Sequence, residues 1–206
     1  IGFSDARIPN NAEVTHALSL TDPQLIELDP LSCTVFLAKE GMKLDLGCLA
    51  KGYIADKIAD YLKSQHVMSA LINLGGNIKT IGANVLASRP WQIGIQNPRQ
   101  PRGTNLAVLP ICNQSVVTSG TYERKLQVNE HTYHHILDRK TGYPVDTQLA
   151  SITIISDNSL DGEILTTRLY GEKPRQLLAR VEQEKGIEAL MVTTDNRVYY
   201  SSGISP

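Results

Sequence analysis

A chain of 206 residues with 41% hydrophobic content is long enough to bury a sizeable core, and its 20 Lys and Arg against 21 Asp and Glu leave a formal net charge of -1. That balance excludes the basic stripe of a nucleic-acid binder, and two Phe with one Trp offer little for stacking on bases. No segment approaches the roughly 20 apolar residues of a transmembrane helix, and three scattered cysteines, Cys33, Cys48 and Cys112, suit neither a zinc site nor a disulfide framework and read as small buried hydrophobes.

The elements read in chain order as short strands alternating with a few helices, an α+β domain covering residues 1–206. Leu25–Leu28 and Thr34–Leu37 flank the turn formers Pro30, Leu31 and Ser32 and predict a hairpin. Ile54, Ile58 and Leu62 recur at helical spacing beside Tyr61, predicting an amphipathic helix from about Ala50 to Lys63. Ala70–Leu74 reads as a buried strand ending at Gly75 and Gly76. Trp91, Ile93 and Ile95 alternate with polar or small neighbours as in a half-buried strand, inside a Pro-, Arg- and Gln-rich stretch from Ser88 to Thr104 that suits a mobile loop. Ser151–Ile155 is a further strand. Pro174 opens a helix whose buried stripe is Leu177, Leu178 and Val181, with Gly186 as its stop. Leu190–Val192 and Val198–Tyr200 around Asp195-Asn196 close the chain with antiparallel sheet.

Four segments carry chemistry. Gly47 and Gly52 bracket Ala50-Lys51 where a strand is expected to hand over to a helix; such a turn exposes amides that suit a phosphate, with Lys51 adding charge, or is a tight turn with close helix packing. Asn73-Leu74-Gly75-Gly76-Asn77 is either an ordinary hairpin turn or a close backbone approach to a ligand. Glu163 and Thr167 lie four apart on a predicted helix, a carboxylate and a hydroxyl on one face that would suit a hard cation or simply be solvated. In Tyr133–Leu137, read as a strand, His135 shares a face with Tyr133 and Leu137, while His134 shares the other with Ile136 and Asp138.

Taken in order, Leu44-Asp45-Leu46-Gly47-Cys48-Leu49-Ala50-Lys51-Gly52, Asn73–Asn77, His135-Ile136-Leu137-Asp138-Arg139-Lys140-Thr141-Gly142 and Glu163–Thr167 closely resemble the ApbE-type flavin transferases, bacterial enzymes that move FMN from FAD onto a protein Thr or Ser. The resemblance runs from about Asp45 to the C-terminus and implies a mainly antiparallel, T-fold-related α+β architecture. It also implies magnesium held by the Ala50 carbonyl, Glu163 and Thr167, with Glu163 where the family has Asp and Asp161 as the fallback ligand. A glutamate must pull back by about one methylene to keep a ligand distance of about 2.1 Å. FAD, as substrate, is expected against Gly47, Lys51, Gly52, Asn73, Gly75, Gly76, Ser119, Gly120, Tyr122 and Asp138, with His135 as the catalytic base. Cys48 stands in place of a glycine, Thr121 of an aspartate and Arg139 of a proline.

The implied reaction is magnesium-dependent transfer of FMN to a Thr or Ser hydroxyl of an acceptor flavoprotein, a subunit of a redox complex, with release of AMP. FAD pyrophosphatase activity and non-catalytic FAD binding are the alternatives. Family members carry roughly a hundred residues before the point matching Ile1, so the family's N-terminal portion is expected to be lacking here. The family is mostly exported and lipidated, which implies an extracytoplasmic, membrane-associated protein; cytoplasmic members are a minority.

Overall fold

The computed structural model describes residues 7–121, 125–128 and 131–204. Its elements begin with α1 (Asn11–Leu18), β1 (Ile26–Asp29), β2 (Thr34–Leu37), α2 (Gly47–Ser64), β3 (Ala70–Leu74) and β4 (Asn77–Ile81). They continue with β5 (Trp91–Gln96), β6 (Asn105–Ile111), β7 (Ser115–Gly120), β8 (Lys125–Val128) and β9 (His131–His134). The chain then forms β10 (Leu149–Ser156), α3 (Ser159–Arg168), α4 (Pro174–Val181), β11 (Ile187–Thr193) and β12 (Val198–Tyr200). Two compact units result, one from residues 1–46 and 124–145, the other from 47–123 and 146–206.

The larger unit is built on an antiparallel sheet of order β12-β11-β10-β7-β4-β3. Its central strand β10 is buried along its whole length because both sheet faces are covered. On one face the β5–β6 ribbon drives Ile93, Ile95, Leu109 and Ile111 against Val116, Ile155, Leu190 and Val192. Each such aliphatic side chain contributes about 1.5–3 kcal/mol on full burial. The other face carries α2 and α3. A Cβ on Gly162 would stand 2.7 Å from Val117 Cγ2, so α3 lies directly on β7.

Helix α2 begins at Gly47, three residues before the predicted start, so Gly47 opens the helix and Gly52 lies inside it; the expected strand-to-helix turn between them does not form. The buried stripe differs too. Gly52, Ala55 and Ala59 are buried, Ile58 and Leu62 are half-buried, and Ile54, Tyr53 and Tyr61 are exposed. Small residues face inward because α2 approaches α3 closely: a Cβ on Gly52 would lie 2.7 Å from the Ser159 carbonyl oxygen and 2.8 Å from Leu160 Cα.

In the smaller unit, α1 starts with a reciprocal cap: Asn10 Oδ1 accepts from the Glu13 amide at 2.9 Å and Glu13 Oε2 from the Asn10 amide at 2.8 Å. Arg7 clamps the same carboxylate and holds it down at about 2. The expected β1–β2 hairpin forms with Ile26 opposite Leu37. The strand predicted for Tyr133–Leu137 ends at His134, and the chain continues into a loop bridged at Leu137 and Pro144. Gly142 at φ +72° passes under α1, where a Cβ would meet Val14 Cγ1 at 2.6 Å. All three cysteines are exposed, contrary to their reading as buried hydrophobes. No helix among the described residues is long and apolar enough to cross a membrane.

Candidate active site

A buried polar network in the larger unit joins α2, β4 and α3. The α3 N-cap residue Asn158 makes no side-chain cap; Asp56 of α2 supplies the acceptors instead, taking the Ser159 amide on Oδ1 at 2.8 Å and the Leu160 amide on Oδ2 at 2.9 Å. Two of the four orphan amides at this helix start are thereby satisfied by a neighbouring helix. Lys79, 4% exposed on β4, donates to the Asp157 carbonyl and sits 3.6 Å from Asp56 Oδ1. Burial pushes its ammonium below the ordinary lysine value and Asp56 pulls it back up.

One helical turn further on, Glu163 is 4% exposed. Its Oε1 accepts from Asn77 Nδ2 at 2.8 Å and lies 3.4 Å from Lys51 Nζ. Asn77 is oriented in turn by Ser159 Oγ, which donates to Asn77 Oδ1 at 2.7 Å. Ser159, Asn77, Glu163 and Lys51 therefore form one chain of polar contacts. Oε2 of Glu163 takes no hydrogen bond among the described residues.

The donors expected to hold magnesium are hard oxygens, as that ion requires: the Glu163 carboxylate with one oxygen uncommitted, the exposed Thr167 a turn later, and the half-buried Ala50 on α2. The Ala50 carbonyl belongs to the ladder of α2 and keeps a second lone pair. The described residues hold no group of three or more His, Cys, Asp or Glu side chains suited to a metal. A single buried carboxylate fits an ion that keeps its waters and shares a phosphate ligand, and does not fit a closed protein cage.

The Asn73–Asn77 segment is a two-residue hairpin turn between β3 and β4, with Gly75 at φ +61° and Gly76 at +94°. Both values lie in the left-handed region that favours glycine, so hairpin geometry accounts for the pair. Asn73 Oδ1 accepts from the Gly76 amide at 2.9 Å, and a Cβ at either glycine would meet nothing within 4 Å. The glycine faces are thus open. Ser119 and Gly120 end β7, half-buried and buried. Tyr122 lies outside the described residues.

In the smaller unit the two adjacent histidines diverge. His134 is buried, its Nε2 donating to the Val145 carbonyl at 3.0 Å and its Nδ1 accepting from the Ile136 amide at 3.3 Å. Those partners fix a neutral imidazole with the proton on Nε2, and burial pushes its pKa down from 6.5. His135 is exposed. Asp138 shapes the following turn, Oδ1 accepting from the amides of Lys140 at 2.6 Å and Thr141 at 3.2 Å. Sequence reasoning passed over Asp56 and Lys79, and quoted Asn77 within the glycine turn without giving it a role. Their signal was Lys79 itself, a charge within Ile78-Lys79-Thr80-Ile81, where a buried strand has to supply it a partner.

The fold is that of an established class of α+β proteins. The crystal structure of the ApbE protein from Thermotoga maritima aligns with a TM-score of 0.87 at 29% identity, over 97% of this chain and 64% of that one. The flavin transferase ApbE from Vibrio cholerae aligns at 0.78 with 27% identity, over 96% and 63%. The sequence narrows the class, since the model of the ApbE family matches residues 1–191, and the chain belongs to that family. An FAD:protein FMN transferase of Klebsiella pneumoniae is 46% identical over 98% of this chain and 62% of its own length. Another, from Treponema pallidum, is 36% identical over 99% and 60%. The chain thus spans about three-fifths of the length of the curated relatives it matches.

Proposed function

We propose that the protein transfers FMN from FAD to a Thr or Ser hydroxyl of an acceptor flavoprotein, with magnesium, and releases AMP. The observation that carries this reading is Glu163, a carboxylate buried where α2 crosses α3, flanked by Asn77 and Lys51 and in register with the metal helix of the resembled family. Family membership and the 46%-identical FAD:protein FMN transferase support it.

Magnesium, held by Glu163, Thr167 and the Ala50 carbonyl, would supply charge neutralisation on the FAD diphosphate. Asn77 keeps the carboxylate aimed, and Lys51 adds positive potential. His135 takes the proton of the acceptor hydroxyl as that oxygen bonds to the phosphorus nearer riboflavin. The bond between the two phosphates breaks, and AMP carries away the bridging oxygen. Gly75 and Gly76 offer the flavin nucleotide an open backbone surface. On the resemblance, the acceptor is a subunit of a redox complex and the reaction takes place outside the cytoplasm.

The test is AMP release from FAD with and without magnesium, and with an acceptor carrying or lacking its target threonine. Magnesium-dependent AMP with covalent flavin on the intact acceptor is the expected result. AMP without acceptor labelling would identify a pyrophosphatase, FAD binding without AMP a carrier, and neither would overturn the reading. His135→Ala should lower transfer by at least about 10²-fold, the usual contribution of a positioned base. Undiminished rates in that variant would remove His135 from the mechanism.

A further inference from the structure

The two lysines of the buried network are held in opposite ways. Lys79 has 5% of its side chain exposed, donates to the Asp157 carbonyl and cannot leave without vacating the core. Lys51 has 45% of its side chain exposed while its partner Glu163 has 6%, and at 3.4 Å the contact is an ion pair. The carboxylate is fixed and the ammonium is free to swing into solvent. Asn77 holds Oε1 at 2.8 Å independently of Lys51, so Glu163 keeps its orientation if the lysine departs. Taking the cation away from a buried carboxylate leaves an uncompensated charge, which is costly.

We infer that Lys51 is the resident counter-ion of Glu163 and that a divalent cation displaces it, so that metal binding and release of the Lys51 ammonium are one exchange. The inference rests on the reading of Glu163 as the metal carboxylate. A divalent cation on this carboxylate would repel the ammonium 3.4 Å from Oε1, and of the two the half-exposed lysine is the group that can yield. The exchange keeps the buried charge compensated when metal is absent. It also delivers a cationic side chain toward solvent at the moment the metal is loaded, where an anionic substrate would meet it. The built-in competitor weakens the metal affinity of the free protein.

The experiment uses magnesium alone, without FAD, so that it reads binding and not catalysis. Isothermal titration of Mg2+ into the wild type, K51M, E163Q and a charge-removal control on the same helix, K57M, should show K51M binding about two- to tenfold more tightly than wild type. K57M should match wild type and E163Q should lose binding. In the wild type, reductive methylation of Lys51, quantified by mass spectrometry, should speed up when Mg2+ is added. This second readout needs no substitution and stands if K51M folds poorly. Equal magnesium affinity in K51M and wild type, or Lys51 methylation unchanged or slowed by Mg2+, would overturn the exchange while leaving Glu163 as the metal carboxylate. Binding undiminished in E163Q, or no binding in either wild type or K51M, would overturn the metal reading and the exchange with it.

Discussion

His134 and His135 are neighbours in sequence with different physical duties. His134 ties the loop from Ile136 to Val145 back onto the end of β9, and it does so only as a neutral ring, because Nδ1 has to accept the Ile136 amide. Its folded pKa lies below 6.5, so the unfolded chain binds the proton more readily and stability rises with pH. The contribution of His134 is fully present above about pH 6.5 and is lost as pH falls from there through the folded value. Thermal unfolding of the wild type followed across that range should show Tm dropping on the acid side. His134→Gln, which keeps a donor and an acceptor but cannot titrate, should flatten the drop; an unchanged slope would assign the acid lability elsewhere. Alternation along a strand predicted that the two rings diverge, but the strand ends at His134 and His135 lies in the loop beyond it. Which of them is buried depends on Val145, eleven residues on, and no local pattern reports that.

Where α2 crosses α3, small residues set the geometry and charges lock it. Gly52→Ala would gain up to about 1 kcal/mol in helix propensity. It would also place a methyl 2.7 Å from the Ser159 carbonyl oxygen, 2.8 Å from Leu160 Cα and 2.8 Å from Glu163 Cγ. Two of those atoms are backbone and cannot rotate away, so overpacking at about 1–3 kcal/mol should outweigh the gain and lower the urea midpoint. A raised midpoint would show that the helices separate easily. Asp56→Ala removes the tertiary cap of α3, about 1 kcal/mol, and leaves Lys79 without its carboxylate, a loss of about 3–5 kcal/mol when one partner of a buried pair goes. Lys79→Met should cost less, because Asp56 keeps both amides, and in the double variant the two losses should be less than additive. Full additivity in a double-mutant cycle would mean that the pair does not interact. This crossing was only partly legible. Helical period identified α2 and α3, but weighting by hydrophobicity chose Ile54, Ile58 and Leu62 as the buried stripe. Ala55, Ala59 and Gly52 are buried because closeness, not side-chain size, is what that interface needs, and period alone does not distinguish the two. Strands β4 and β7 escaped reading for a related reason: their buried positions include Asn77, Lys79, Thr80 and Ser115, polar residues that an apolar alternation does not count.

The connectivity puts the proposed metal carboxylate and the proposed base in different units. Strands β7 and β10 are antiparallel neighbours, with Gly120 opposite Ser151 and Thr118 opposite Thr153, and the Thr121 amide donates to the Ala150 carbonyl. The chain therefore leaves the sheet and returns at adjacent points. The segment 124–145 between them belongs to the smaller unit and carries His135 and Asp138. Glu163, Asn77, Lys51, Asp56 and Lys79 all belong to the larger unit, as do the buried aliphatics of β5, β6, β7, β10 and β11. Replacing residues 124–145 by a short glycine-containing turn shortens the loop closed between two strands that already pair, which costs little in closure entropy. The shortened protein should retain its far-UV circular dichroism per residue of sheet and a cooperative unfolding transition. It should still be stabilised by magnesium, since the carboxylate network remains whole, yet release AMP from FAD at least about 10²-fold more slowly because the proposed base is gone. Loss of magnesium stabilisation in a cooperatively folded shortened protein would mean that the smaller unit supplies a ligand. Undiminished AMP release would mean that the proton of the acceptor does not pass through His135. Either result would relocate a specific step to a specific set of residues, because the deleted excursion and the retained sheet share no member of the proposed site.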